Sequence, residues 1–395
     1  MEKKERLFNR NFTIMSVASL FMFVAFYLLM PIIAMYVVDY FEADSSLAGV
    51  VAASYIITAL MMRPFSGYLV DRFDRRKFYL IVFAMFAIFF TGYIISTSIL
   101  ELVITRVLLG ATFAMTTTAS NTLAIDVIPS SRRAEGIGYY GAIVVLAMAV
   151  GPMLGLYLIK YFSYKELFIF ATGCAWVGVG VATFVRTKPR EQRVKVPLSF
   201  DRFLLREGVS IASIIALLYF LYGTLMVYVS LYVRSCGINT NSANFFMLFA
   251  LGIIIARMMA ARYLRKGLHD KILQFGTITI ITAGLIFVGY LTEWTLPIAS
   301  IGLGVGFGLV APSVQSMIID LVPAARRGTA NSTYFIALDL GSGIGMLVGG
   351  TIAHIWDYQM IYIIGIAICS FALILYYSYS RRNYTKHLEV AKKAM

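Results

Sequence analysis

Charge is scarce in this chain. Of its 395 residues only 14% are Asp, Glu, Lys or Arg, while 60% are hydrophobic; a soluble domain carries roughly 25% charged residues. So apolar a chain cannot hide its surface in a water-soluble fold, and its solvent must be lipid. Cysteine and histidine are scarcer still, with 3 of each. Cys174, Cys236 and Cys369 lie too far apart for a disulfide framework or a metal-ligand spacing. His269, His354 and His387 fall in loops or at helix ends, where solvated structural roles are expected. The apolar stretches hold no H-E-x-x-H, no paired-aspartate dyad and no Ser-His pair, which argues against a membrane-embedded enzyme. The phosphate-binding pattern G-x-x-x-x-G-K-[ST] is also missing, so ATP is not the energy source. Neither a metal nor a cofactor is expected.

Long hydrophobic runs are abundant instead. A bilayer crossing takes about 20 mostly apolar residues, and twelve such stretches can be drawn: 12–38, 47–70, 78–97, 101–126, 135–160, 165–185, 210–233, 244–263, 271–291, 295–320, 329–353 and 359–380. They are too long for barrel strands, and lipid forbids open sheet edges, so the fold class is an all-α integral membrane protein. The net charge of +14 raises the question of nucleic acid, which the charge distribution answers. With Met1 inside, Lys160, Lys165 and Arg234 are the basic residues on the far side, Arg63, Arg106 and Arg257 lie within spans, and all the others face the near side. That asymmetry is the positive-inside pattern. It predicts a multi-pass protein of the inner (cytoplasmic) membrane, both termini cytoplasmic and 39–46 outside, with no nucleic-acid partner. The start, Met1 to Arg10, is polar and basic and no small-residue cleavage site follows the first run, so an uncleaved first helix is expected rather than a signal peptide.

The basic segment 186–209 divides the spans six and six, giving 1–185 and 210–395 as the expected bundles. The halves repeat each other. Asp126-x-x-Pro129-x-x-Arg132-Arg133 recurs as Asp320-x-x-Pro323-x-x-Arg326-Arg327 at an offset of 194 residues. The same offset carries Arg63 to Arg257, Lys77 to Lys271, Gly110 to Gly304, Tyr140 to Tyr334, Gly151 to Gly345 and Gly155 to Gly349. Duplicated bundles of this kind can rock about a shared site.

The loop after the second span reads Gly67-Tyr-Leu-Val-Asp71-Arg72-Phe-Asp74-Arg75-Arg76-Lys77. It resembles the signature loop of the major facilitator superfamily, G-x-L-x-D-R-x-G-R-R/K, with Asp74 in place of the usual glycine. Asp tolerates the left-handed backbone that such a turn uses, so the turn is expected to survive. Arg106-Val-Leu-Leu-Gly110 in the fourth span looks like the family's R-x-x-q-G. Gly151-Pro152-Met-Leu-Gly155 in the fifth resembles the core of its antiporter motif, G-x-x-x-G-P-x-x-G-G, although Ala147 and Leu156 depart from it. The resemblance implies two six-helix bundles working by alternating access. It implies a secondary transporter of a small amphipathic organic solute, with the antiporter motif favouring proton-coupled efflux of a drug or metabolite. Proton-coupled uptake is the alternative, and a non-transporting receptor of the same fold is the alternative from another class. Small solute, protons and lipid are the expected partners, and the chain is expected to act as a monomer.

Deep charges are costly in lipid and mark function by default. Four stand out: Arg63, Arg106, Arg257 and Asp339. The arginines at 63 and 257 can serve the substrate or pair with Asp126 and Asp320. Asp339 is the deepest carboxylate and is read as the proton-coupling site, with Arg106 tuning the same cavity. Tyr27, Tyr36, Tyr219, Tyr222 and Tyr228 are candidates to line it. The glycines at 151, 155, 341, 345 and 349 are read first as close-packing positions, with Pro152 bending its helix. The family further implies a conformational latch built from Gly67, Asp71, Arg72, Arg75, Arg76 and Asp126. In it Asp71 approaches the next bundle near Thr329 and Arg75 pairs with Asp126. His269 stands where the repeat partner of Arg75 would be, so the latch is expected to be asymmetric.

Overall fold

A computed structural model describes residues 7–129, 132–186, 204–238, 241–264, 266–322 and 327–394. Those residues are helical throughout, without strands: α1 Arg10–Asp39, α2 Ser45–Arg72, α3 Arg75–Ile95, α4 Ile99–Val127, α5 Arg133–Leu158, α6 Tyr164–Thr183, α7 Val209–Ser235, α8 Ala243–Leu264, α9 His269–Gly289, α10 Thr295–Ile319, α11 Arg327–Ile355, α12 Tyr358–Leu375 and α13 Arg381–Ala394. Among them 12 helices are long and apolar enough to cross a membrane. The chain is an all-α, multi-pass membrane protein. The expected spans fall on these helices with ends shifted by a few residues. The last one does not simply stop at 380, because a π-helical segment, Tyr376–Ser380, carries it on into the polar α13.

Local sequence sets the helix starts. Ser98 and Glu101 form a reciprocal capping box at α4, and Ser163 and Glu166 form another at α6. At the repeat-related start of α12, Asp357 accepts the Met360 N–H at 2.7 Å. Such caps occupy N–H groups that a helix leaves open at its first turn. Asp74 caps α3 in the same way, accepting the Lys77 N–H at 2.8 Å. Its φ is −59°, so the left-handed backbone expected there is not used. Asp replaces glycine as a cap, not as a flexible turn residue.

The chain separates into two compact units, Met1–Ile32 with Ser54–Leu198 and Ile33–Ala53 with Ser199–Met395. By contacts, the later part of α1 and the first turns of α2 group with the second half. Pro31 sits within α1 next to that change of unit. The basic segment 187–203 lies outside the described residues.

In the first unit α3 packs on α4 and α6. In the second, α7 packs on α11 and α12, and α10 on α8 and α9. Glycines make the closest approaches. A Cβ on Gly110 of α4 would fall inside the Tyr55 carbonyl of α2, and one on Gly304 of α10 would fall inside the Phe249 carbonyl of α8. Tyr55 and Phe249 are themselves 194 residues apart, so each unit uses the same backbone-to-backbone contact. Without water to drive association, such small-residue contacts and their dispersion energy hold membrane helices together.

Candidate functional site

Polar groups inside an apolar bundle need partners, and the two units provide them differently. In the first unit Arg106 is 1% exposed. Its guanidinium lies 4.8 Å from the centre of the Tyr55 ring, Nη1 donates to the Tyr93 hydroxyl at 3.4 Å, and Nη2 lies 3.8 Å from Met30 Sδ. The π-face and the phenol partly replace water around the charge. Close by in the same unit, Tyr140 shares hydrogen bonds with Ser19 and Ser120 at 2.8 and 2.6 Å. Arg63 is half-buried.

The signature loop is a set of helix-end contacts. Arg75 Nη1 reaches both oxygens of Asp126, at 2.9 and 2.8 Å, tying the start of α3 to the end of α4. Arg76 donates to the carbonyls of Val185 and Thr183 at 2.6 and 2.9 Å, satisfying the end of α6. Arg72 donates to the Tyr68 hydroxyl at 2.8 Å. Gly67 has open space where a Cβ would sit. The Asp71 side chain lies outside the described residues.

Gly151 and Gly155 of α5 abut α1, where their Cβ atoms would meet Tyr27, Leu28 and Ile32. Gly341 and Gly345 of α11 abut the carbonyls of Ala216 and Phe220 on α7, while Gly349 meets Tyr228 and Thr224. Pro152 lies inside α5. Tyr27 is half-buried and packs on Phe23 and Phe26.

The second unit gathers the remaining candidates. Tyr222 stands 4.8 Å from Tyr219 and 5.3 Å from Phe307, ring centre to ring centre, with Phe249 at 6.2 Å. Phe249 and Arg257 lie two turns apart on one face of α8. Arg257 is half-buried, its Nε is buried without a hydrogen-bond partner, and its charge bears on the phenols of Tyr219 and Tyr334. The Tyr334 phenol also feels Asp339. Asp339 itself is half-buried near the middle of α11. A tyrosine-rich, charge-bearing cluster thus joins α7, α8, α10 and α11.

Two residues have surroundings other than expected. Tyr228, a candidate cavity tyrosine, is 0% exposed and donates to the Met346 carbonyl at 2.6 Å. It belongs to a seam in which Gly49 of α2 lies against Tyr228, Met346 and Leu347, and Gly350 lies against Ser45 and Gly49. Ser45 also bonds the Tyr358 hydroxyl at 2.8 Å, and Arg234 pairs with Asp39 at 2.8 Å. Tyr36 stacks on Tyr40 at the same end of α1. His269 opens α9 at a helix end as expected and is partly exposed, but it is not merely solvated: its Nδ1 is buried, and its Nε2 lies 3.4 Å from Asp320. Neither placement could be read from periodicity, because both depend on which helices become neighbours.

Twelve membrane-length helices among the described residues, a repeat that reproduces its helix contacts, and charges held inside the bundles set the class: an all-α membrane protein built from two repeat-related halves. The chain matches the family described as the Major Facilitator Superfamily over residues 15–303 and 271–394, and it belongs to that family. It is 25% identical to the "Uncharacterized MFS-type transporter YhhS" of Escherichia coli K12 over 88% of this chain and 87% of the relative. It is 23% identical to the "Staphylopine export protein" of Staphylococcus aureus Mu50, over 82% and 84%. A crystal structure of a mutant nucleoside transporter NupG superposes with a TM-score of 0.77 at 14% identity, covering 93% of this chain and 99% of that one. That likeness is one of fold.

Proposed function

We propose that the chain is a proton-coupled exporter that carries a small amphipathic organic solute out of the cytoplasm, with Asp339 as the proton carrier. The observation that carries this reading is a half-buried carboxylate in the middle of a membrane-spanning helix, within electrostatic reach of Tyr334 and hence of the Arg257 and Tyr219 cluster. In this reading the carboxyl binds a proton in one conformation and gives it up in the other. A solute that prefers the ionised site competes with the proton, and the two then travel in opposite directions. Export is supported by the relative named for it and by the Gly151-Pro152-x-x-Gly155 core. The positive-inside pattern supports an inner-membrane chain with both termini in the cytoplasm; in this reading the chain works as a monomer. Alternating access requires the seam at Gly49 and Gly350 to part and re-form in each cycle, with Arg63, Arg106, Arg257, Tyr27 and Tyr222 serving the solute.

Uptake is the second reading, favoured by one observation. The buried Nε of Arg257 has no acceptor, and an anionic solute would supply one. An anion beside Asp339 binds best when that carboxyl is protonated, so solute and proton would travel together. Proteoliposomes decide between the readings when the pH gradient is reversed. With Asp339 as carrier, Asp339→Asn still exchanges solute passively but loses accumulation driven by a pH gradient. Gradient-driven accumulation in that variant rules the assignment out.

A further inference from the structure

The two halves of the chain make the same tie with different chemistry. Arg75 opens α3 and Asp126 lies near the end of α4; 194 residues later His269 opens α9 and Asp320 follows α10. The first pair is a guanidinium on a carboxylate, with Nη1 to Oδ2 at 2.8 Å. The second is an imidazole, with Nε2 to Oδ2 at 3.4 Å. A guanidinium stays charged at every physiological pH, whereas imidazole is the side chain whose charge ordinarily changes between pH 5 and 8. The first tie is permanent. The second depends on a proton.

Among the described residues, Asp320 faces the ring from the end of α10, Asp270 follows on α9 itself and Lys271 comes next. Lys266 lies in the turn before α9. Asp270 is engaged from the other side, accepting from the Tyr376 hydroxyl and lying 3.0 Å from Arg381 Nη2. Tyr384 of α13 is within electrostatic reach of both aspartates. His269 Nδ1 is buried and has no hydrogen-bond partner. A neutral ring therefore offers Asp320 a neutral donor, while a second proton places a full positive charge beside that carboxylate. The cap that fixes α3 is also missing here, because Leu268 stands where Asp74 does. The start of α9 thus leans on the histidine contact more than α3 leans on its arginine.

We propose that His269 and Asp320 form a proton-dependent fastening between α9 and α10, tight when His269 is protonated and slack when it is not. It sits at the end of the second unit that carries the basic loops, which the positive-inside pattern turns to the cytoplasm, so it would read cytoplasmic pH. The fastening is separate from the membrane-deep carboxylate Asp339 and does not depend on the direction of transport.

Hydrogen exchange on the purified full-length protein tests this without any solute. Peptides covering 268–274 and 316–321 are followed at pH 5.5 and pH 8.0 in wild type, His269→Arg and His269→Gln. Comparing proteins at the same pH cancels the intrinsic pH dependence of exchange. Wild type should match His269→Arg at pH 5.5 and His269→Gln at pH 8.0, with about a 1.5- to fivefold difference in exchange between tied and untied forms, as for a partly exposed ion pair. Arg75→Gln should change its own peptides by the same factor at both pH values. A wild type that differs from His269→Arg by one factor at both pH values, or that matches His269→Gln at both, overturns the proposal. If His269→Gln does not fold, the comparison with His269→Arg is sufficient, because that difference must vanish in acid and appear in base.

Discussion

Removing one hydroxyl measures how firmly the seam between α2 and α11 is held. Tyr228 donates to the Met346 carbonyl at 2.6 Å, and its hydroxyl oxygen lies 2.6 and 2.7 Å from where Cβ atoms on Gly49 and Gly350 would stand. The phenol thus fills the space where the two glycine faces meet. Tyr228→Phe keeps the ring and deletes one buried bond, and interhelical hydrogen bonds in membranes are worth about 0.6–1.7 kcal/mol. The bond joins α7 to α11, whose shared corner carries the Gly49 and Gly350 contacts; if α2 parts from that corner only as the bond breaks, losing about 1 kcal/mol multiplies the open fraction roughly fivefold. The assay uses a cysteine-free background with Ala48→Cys, a position that is fully buried near the start of α2. A membrane-impermeant maleimide is added from the side opposite the basic loops. Tyr228→Phe should raise the labelling rate about fivefold, within a range of roughly three- to twentyfold. Labelling unchanged in a folded Tyr228→Phe protein would refute the idea that this bond holds the seam shut.

Other expectations follow from the same contacts. Gly110→Ala and Gly304→Ala each push a methyl group into a backbone carbonyl, an overpacking cost of about 1–3 kcal/mol that should lower the thermal midpoint in detergent by several degrees. Gly67→Ala, with open space at its Cβ, should leave the midpoint unchanged or raise it, since alanine favours a helix over glycine by up to about 1 kcal/mol. A large loss in the Gly67 variant would show that the loop is packed in a way these contacts do not include. Arg106→Lys keeps the charge but loses the planar stack on Tyr55, and should cost about 1–2 kcal/mol in thermal stability; a variant as stable as wild type would mean that the guanidinium geometry is irrelevant.

Much of the fold was legible because lipid leaves a sequence few choices. Spans show as long apolar runs, and the repeat at 194 residues pointed to the pairs Gly110 with Gly304 and Gly151 with Gly345, which the fold uses at backbone contacts in both halves. The pairing of Arg75 with Asp126 came from the family resemblance and is present at hydrogen-bond distance. What stayed hidden depends on neighbours distant in sequence. Nothing near Gly49 announces that it will meet α11, and nothing near His269 announces a buried ring nitrogen. Asp74 was misread because capping and left-handed turns favour the same residue. Only the backbone angle separates the two uses. The segment after α12 was hidden for another reason: its tyrosines continue the apolar run, and the π-helical turn that leads into α13 has no sequence period of its own.

Pro31 gives α1 a mechanical property that its length alone would deny it. An unbroken α-helix of 30 residues is a stiff rod, and a stiff rod shared between two bodies would resist any rotation of one against the other. Proline cannot donate to the carbonyl four residues earlier, so the rod lacks one of its bracing bonds, and it lacks it beside the residue at which α1 passes from one compact unit to the other. Flexing therefore concentrates at that step. The later turns of α1 group with the second unit, where Asp39 pairs with Arg234, and the earlier turns with the first.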